Sequence, residues 1–281
     1  MQRRTPHGLV GMADLFTVRD LHLSLPDLNA RPLFGAAPRI DILKGLSLTI
    51  PAGQVTGIVG ESGSGKSTLG RCLIRLLEPT GGQIDFDGTD ITHLGPAGLA
   101  PMRRDLQMIF QDPMSSLNPR HTVGRIVADP LRVNGIDSAE ARALDALDRV
   151  QLGRDFAGRY PHQLSGGQRQ RVGIARAIAL NPRFILCDEI VSGLDVSTQA
   201  QIMVLLERLV AEMNLTMAFI SHDLSVIRRL CDTVVVLRAG EIVEQGPTAQ
   251  VFDTPAHPYT AELRAAIPLP EIDAGWLHNS A

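Results

Sequence analysis

Gly60, Gly65, Lys66 and Ser67 follow the order G-x-x-x-x-G-K-S within GESGSGKST, residues 60–68. Of the 27 Lys and Arg residues only Lys44 and Lys66 are lysine, so position 66 keeps an ammonium where guanidinium is otherwise the rule. A compact ammonium on a slim stem fits between adjacent phosphates, whereas a planar guanidinium demands a wider, fork-shaped site. Gly60, Gly63 and Gly65 let the backbone wrap closely with its N–H groups turned inward. A helix beginning at Ser67 aims its positive end at the same anion. Glu61, Ser62, Ser64 and Thr68 complete a loop suited to a triphosphate, with the Ser67 hydroxyl placed to hold Mg2+. The apolar run VTGIV before the loop and the helix-forming residues after it supply the strand–loop–helix setting that separates such a loop from a flexible Gly/Ser linker.

Asp188 and Glu189 end a second apolar run, FILCD, at the carboxyl end of a strand, where α/β sheets bind ligands. An aspartate there suits Mg2+ through water, and a neighbouring glutamate can polarise an attacking water. Taken alone, the pair reads equally well as an acidic strand end. LSGGQRQR, residues 164–171, places Ser165, Gly166, Gly167 and Gln168 at the start of a helix, where a hydroxyl and free N–H groups can meet an anion or simply cap the helix.

These three segments together resemble the nucleotide-binding subunits of the ABC transporter family, over about residues 14–268, with LSGGQ as that family's signature. The resemblance implies an α/β fold: a RecA-like P-loop NTPase core with an N-terminal antiparallel β subdomain and an inserted α-helical subdomain. It implies ATP and Mg2+ as ligands, with Gln111 of IFQDP contacting Mg2+ and water and sensing membrane subunits. By the same token His222 of ISHD meets the γ-phosphate, Asp195 of SGLD lies on the loop that crosses a dimer interface, and Glu189 is the base. Without the family, Gln111 reads as a polar loop residue and His222 as a structural histidine. Two subunits are expected head to tail, Ser165 and Gly167 of one closing on ATP held by Lys66 and Ser67 of the other. Two departures stand out. Ile190-Val191 and Ser192-Gly193 replace the usual Pro-led and Ser-Ala sequences, and no upstream tyrosine is present to stack on adenine, leaving Phe34, then Phe16, or aliphatic packing by Ile40 or Ile42.

FQDPMSSLNPR (110–120) and TPAHPYTAELRAAIP (254–268) resemble the oligopeptide, dipeptide and nickel uptake branch. That branch implies a second ATPase subunit, a distinct paralogue, together with two membrane permease subunits and an extracytoplasmic solute-binding protein, the chain sitting on the cytoplasmic face of the inner membrane. A groove around Gln111 and residues 114–123 is expected to receive a permease helix. With no cysteine after Cys231, no iron–sulfur cluster is expected. The alternative is a non-transport ATPase of the same superfamily, in DNA repair or translation. The first carries a long coiled coil between loop and signature and the second two phosphate loops; neither is present here.

The elements that must position these residues follow from periodicity. Strands are expected at 15–25, 42–50, VTGIV, GGQIDFDG, 106–110, 184–188, 215–221 and 233–237, and a helix from Ser67 to Leu77. Between them, 112–180 reads as the inserted helical unit, with Val172, Ala175, Ile178 and Ala179 on one stripe, Arg169, Arg171 and Arg176 away from it, and the Arg169/Arg171 cluster as a solvated helix face. Ile202, Leu205, Leu206, Leu209 and Val210 mark an amphipathic helix. Strands alternating with helices predict a mostly parallel, covered sheet. The expected division is a tail at 1–13, an ATPase domain at 14–240 and an extension at 241–281 ending in a helix with Tyr259, Leu263 and Ile267 on one side. The 281 residues carry a net charge of −3, which gives no case for a nucleic-acid partner. Three scattered cysteines with no CxxC pair fit a reducing compartment. No apolar run approaches the ~18 residues that cross a bilayer.

Overall fold

The computed structural model describes residues 13–27 and 37–265, without the side chains of 113 and 114. Two sheets form it. The first is antiparallel, with β1 (Asp14–Pro26) between β2 (Arg39–Pro51) and β4 (Gly81–Phe86), and β5 (Thr89–Asp90) beyond β4. The second has six strands in the order β10-β9-β3-β8-β7-β6. Its members are β3 (Val55–Val59), β6 (Leu106–Ile109), β7 (Phe184–Asp188), β8 (Thr216–Ile220), β9 (Thr233–Arg238) and β10 (Glu241–Pro247). All neighbours are parallel except β10, which runs antiparallel along β9. Residue 240, the expected end of the ATPase domain, is therefore a turn inside this sheet.

Strands β3, β7 and β8 are buried along their whole length, as a parallel sheet covered on both faces requires. Alternation divides their side chains between two cores. Ile185, Cys187, Met217, Phe219, Val234 and Val236 join one core, which receives α7 (Val196–Met213), α8 (Leu224–Leu230) and the helical unit of α4 (Val123–Val133), α5 (Ala139–Arg149) and α6 (Gly166–Ile178). Phe184, Leu186, Ala218, Ile220, Val235 and Leu237 join the other, against the antiparallel sheet and α1 (Lys66–Leu73). At that seam Phe16 meets Phe86 at 5.0 Å and Phe184 edge-on at 4.7 Å between ring centroids.

Three expectations are corrected. Helix α1 stops at Leu73 rather than Leu77, because Arg75 takes a left-handed φ of 54°. Its buried guanidinium then donates to the Ile91 carbonyl at 2.8 Å, an anchor that continued helix would not place there. Phe16, a candidate for adenine stacking, is sealed in the seam. Phe34, the first candidate, and Ile267 lie outside the described residues. Arg169 and Arg171 are half-buried rather than solvated: Arg169 donates to Leu164 O at 2.7 Å and Arg171 to Val150 O at 2.7 Å, and on the same helix Arg176 donates to Ser116 O at 2.5 Å. Loop carbonyls around the helix need partners, and guanidinium forks satisfy them.

Candidate nucleotide site

The loop between β3 and α1 begins at Gly60 with φ 146°, where an added Cβ would lie 2.1 Å from the Leu237 carbonyl oxygen. Gly65, at φ 103°, is the residue before α1. Only glycine holds both conformations at this closeness. Gly63 lies between them at φ 80°, with open space where a Cβ would stand, so the predicted glycine serves the backbone turn there and not a close approach. From outside, the Gly240 N–H donates to Ser64 O at 3.1 Å. From inside, Lys66 Nζ donates to Gly60 O at 2.8 Å and Glu61 O at 2.6 Å. Burial pushes the Lys66 ammonium below its usual pKa, while the charges of Glu189, Asp188 and Glu61 pull it back up.

The neighbouring strand end supplies the carboxylates. Ser67 Oγ donates to Asp188 Oδ1 at 2.7 Å, and the Arg71 guanidinium stands 3.6 Å from Asp188 Oδ2. Asp188 is buried. One residue on, Glu189 takes φ 51°, a conformation that costs an L residue about 1–2 kcal/mol. Its N–H still donates to Ile220 O at 3.0 Å and its carbonyl accepts from Ser192 at 3.1 Å, so neighbouring strand and loop hold the kink. The kink releases its side chain from the alternation of β7. Gln111 Nε2 donates to Glu189 Oε2 at 3.0 Å, and His222 Nδ1, on an exposed ring, lies 3.8 Å from the same oxygen. Phosphate loop, Asp188, Glu189, Gln111 and His222 are thus one site drawn from four segments.

The second group gathers elsewhere. Ser165 caps α6 in a reciprocal box: its Oγ accepts from Gln168 N at 3.3 Å, and Gln168 Oε1 accepts from Ser165 N at 2.9 Å. Gly167 packs on the start of α7, where an added Cβ would come 2.4 Å from Thr198 Cγ2, and Gly166 faces Leu194. Asp195 caps α7 through Thr198 N at 2.9 Å and Thr198 Oγ1 at 2.7 Å, bonds that hold its carboxyl below the usual range. Among the described residues no hydrogen bond joins Ser165–Gln168 or Asp195 to the phosphate loop.

Among the described residues no cluster of three His, Cys, Asp or Glu side chains forms a metal cage. What the site offers is a serine hydroxyl and an aspartate beside a loop shaped for anions, a sparse set of hard oxygens. That fits Mg2+, which keeps several waters and substrate phosphates as ligands.

Two contacts were not legible in the sequence. Arg71 reaches Asp188 from one turn along α1. Tyr259 accepts a hydrogen bond from the Glu61 N–H at 2.9 Å across 198 positions, and no local pattern announces it.

A parallel sheet with such a loop at the carboxyl end of β3 and an acidic pair at the end of β7 defines a P-loop nucleoside triphosphatase. Residues 43–192 match the ABC transporter family, and residues 243–281 match the family described as the oligopeptide/dipeptide transporter C-terminal region. The chain belongs to the ABC transporter family and is an ATP-hydrolysing cassette of it. It is 50% identical over 238 residues to a Brucella ovis protein provisionally named a peptide import ATP-binding protein, covering 84% of this chain and 75% of that one. It is 49% identical over 241 residues to the glutathione import ATP-binding protein GsiA of Salmonella typhi, covering 84% of this chain and 39% of that longer protein. Similar solved structures include the cassette MJ0796 in a dimeric post-hydrolysis state with ADP and Pi (TM-score 0.72, 32% identity, 83% of this chain and 98% of that one). Another is CbiO1 of Clostridium perfringens, part of the transporter complex CbiONQ (TM-score 0.73, 30% identity, 86% and 91%).

Proposed function

We propose that this chain is the ATPase subunit that drives an importer of peptides or related small solutes. The observation that carries the reading is the convergence of Lys66, Ser67, Asp188, Glu189 and Gln111 in one chain (Ser67 to Asp188 at 2.7 Å, Gln111 to Glu189 at 3.0 Å). Residues 60–68 bind the phosphates of ATP, with Lys66 turning from the loop carbonyls to the β- and γ-oxygens. Ser67 and Asp188, with Gln111, hold Mg2+, which supplies charge neutralisation on the phosphate oxygens. Glu189 takes the proton of the attacking water, Gln111 orients that water, and His222 contacts the γ-phosphate. Ser165, Gly166, Gly167, Gln168 and Asp195 act on the nucleotide of a second cassette, a distinct paralogue.

The C-terminal match and the names of the peptide and glutathione relatives support the importer reading over a role in DNA repair or translation. No helix among the described residues is long and apolar enough to cross a membrane. We therefore assign membrane attachment to two permease subunits at the cytoplasmic face, working with an extracytoplasmic solute-binding protein. Copurification with integral membrane proteins, and Mg-ATP hydrolysis by that assembly that disappears in Lys66→Ala, are the expected results. ATP hydrolysis stimulated by DNA or ribosomes, with no membrane protein in association, would overturn the reading.

A further inference from the structure

The roles above leave residues 241–265 without a task, yet these residues hold the phosphate loop. Helices α9 (Thr248–Asp253) and α10 (Pro258–Ala265) follow β10. Tyr259, at the start of α10, is 2% exposed, and its one side-chain polar atom is aimed at the loop backbone, accepting from the Glu61 N–H at 2.9 Å. Glu61 is thereby gripped on both sides, since its carbonyl accepts from Lys66 Nζ at 2.6 Å. The ring is fixed in turn. The Arg238 guanidinium lies 4.8 Å from its centroid, and the Tyr259 N–H donates to His257 Nδ1 at 3.1 Å. The N–H groups of His257 and Ala256 donate to the Glu244 carboxylate at 3.1 and 2.9 Å. Glu244 belongs to β10, so the tyrosine is anchored to the sheet edge rather than carried on a loose helix.

We infer that Tyr259 is a positioning residue for the nucleotide site, its hydroxyl fixing the Glu61 peptide so that the loop keeps its anion-binding form. The inference rests on the proposed binding of Mg-ATP at that loop. In the free chain Lys66 braces the loop from within, through Gly60 O and Glu61 O. A triphosphate competes for that ammonium with charge-assisted bonds stronger than those to carbonyls, and once Lys66 turns away, Glu61 keeps the turn bond from the Ser64 N–H at 3.2 Å within the loop and Tyr259 as its anchor from outside it. A loop already held from outside presents its N–H groups without a further ordering step, which raises affinity. Tyr259 touches no atom that reacts, so its effect falls on binding rather than on turnover.

The test uses the full chain with Tyr259→Phe, which removes one oxygen and keeps the ring, beside wild type and Lys66→Ala. Mg-ATP titration calorimetry is expected to show a dissociation constant raised about two- to tenfold, the reach of one hydrogen bond. KM for ATP should rise in step while kcat stays within about twofold. Hydrogen exchange should quicken across residues 60–66 and stay slow in β7 and β8. Wild-type affinity and loop exchange in Tyr259→Phe would overturn the inference while leaving the nucleotide site standing. Faster exchange in every strand alike would also overturn it, since the hydroxyl would then serve general packing. Wild-type chain that binds Mg-ATP no better than Lys66→Ala would overturn the nucleotide reading, and this inference with it.

Discussion

Replacing Glu189 with glutamine is the most discriminating perturbation. The side chain keeps its length, and the backbone keeps the left-handed kink, which the bonds to Ile220 O and from Ser192 N hold independently of the carboxylate. Gln111 can still donate to the new amide oxygen at about its present 3.0 Å. The perturbation therefore removes a proton acceptor and the negative charge it sets near Lys66 while leaving the local packing in place, and the melting temperature should stay within about 2 °C, because near-isosteric changes at polar positions outside the core fall within about 0.5 kcal/mol. A positioned general base contributes about 10²–10⁴-fold, or about 2.7–5.4 kcal/mol of barrier at 1.36 kcal/mol per decade. Hydrolysis by the assembled transporter, followed as phosphate release, should fall by that factor. Mg-ATP affinity should hold within about threefold, since Lys66, Ser67 and Asp188 are untouched. Turnover within threefold of wild type would remove Glu189 from the base's role and send the search to His222, the other proton-accepting group near that oxygen.

Three further outcomes follow from the geometry. Gly60→Ala sets a methyl 2.1 Å from the Leu237 carbonyl oxygen at φ 146°, a strain of about 1–3 kcal/mol or more, and should abolish Mg-ATP binding in calorimetry while circular dichroism stays near native. Ser165→Ala removes the α6 cap, lowering stability by about 1 kcal/mol in denaturant titration, and should leave nucleotide binding intact while hydrolysis by the assembly drops. Cys72, Cys187 and Cys231 are buried, with burial pushing the Cys72 thiol up to about 12 and the other two well above the ordinary thiol value. A disulfide reagent at pH 8 should find no fast thiol in the folded chain and three after denaturation. Because these folded pKa values lie above the unfolded one, the stabilisation is whole below about pH 8.5 and is lost as pH rises toward 12, by about 1.4 kcal/mol per thiol per pH unit; alkaline denaturation should shift upward in a Cys72→Ala variant relative to its own stability at pH 7.

What the sequence made legible is chemistry written in consecutive residues. Gly60–Thr68, Asp188-Glu189 and Ser165–Gln168 each carry their function within a few positions, because a backbone nest, a strand end and a helix cap are local objects. The strands of the parallel sheet were legible too, since burial on both faces leaves runs such as VTGIV and FILCD with no polar interruption. Contacts set by the fold were not. Phe16 looks like an available aromatic until β1 pairs with β4 and lays it against Phe86 and Phe184. Arg75 looks like helix until its guanidinium finds the carbonyls of Ile91, Leu77 and Leu94. Arg169 and Arg171 look solvated until the carbonyls of Leu164 and Val150 are counted as partners. In each case a long side chain answers a group far away in sequence, which periodicity cannot register.

The division of the site between two places in one chain also argues for how it works. Gly167 sits against α7 at Thr198, while the in-chain bonds of Ser165 are completed by Gln168 and those of Asp195 by Thr198. Nothing in that arrangement needs a phosphate, and nothing at Lys66, Asp188 and Glu189 needs the signature. On the function proposed above, each half is folded before the other arrives, so a second cassette would meet prepared surfaces, and the gain on closing would come from the shared triphosphate rather than from refolding. A nucleotide that touches both halves favours the closed pair by the whole of its contacts to the second half, and loss of the γ-phosphate withdraws the most highly charged of them. Binding can then close the pair and hydrolysis reopen it, with each cassette staying folded throughout.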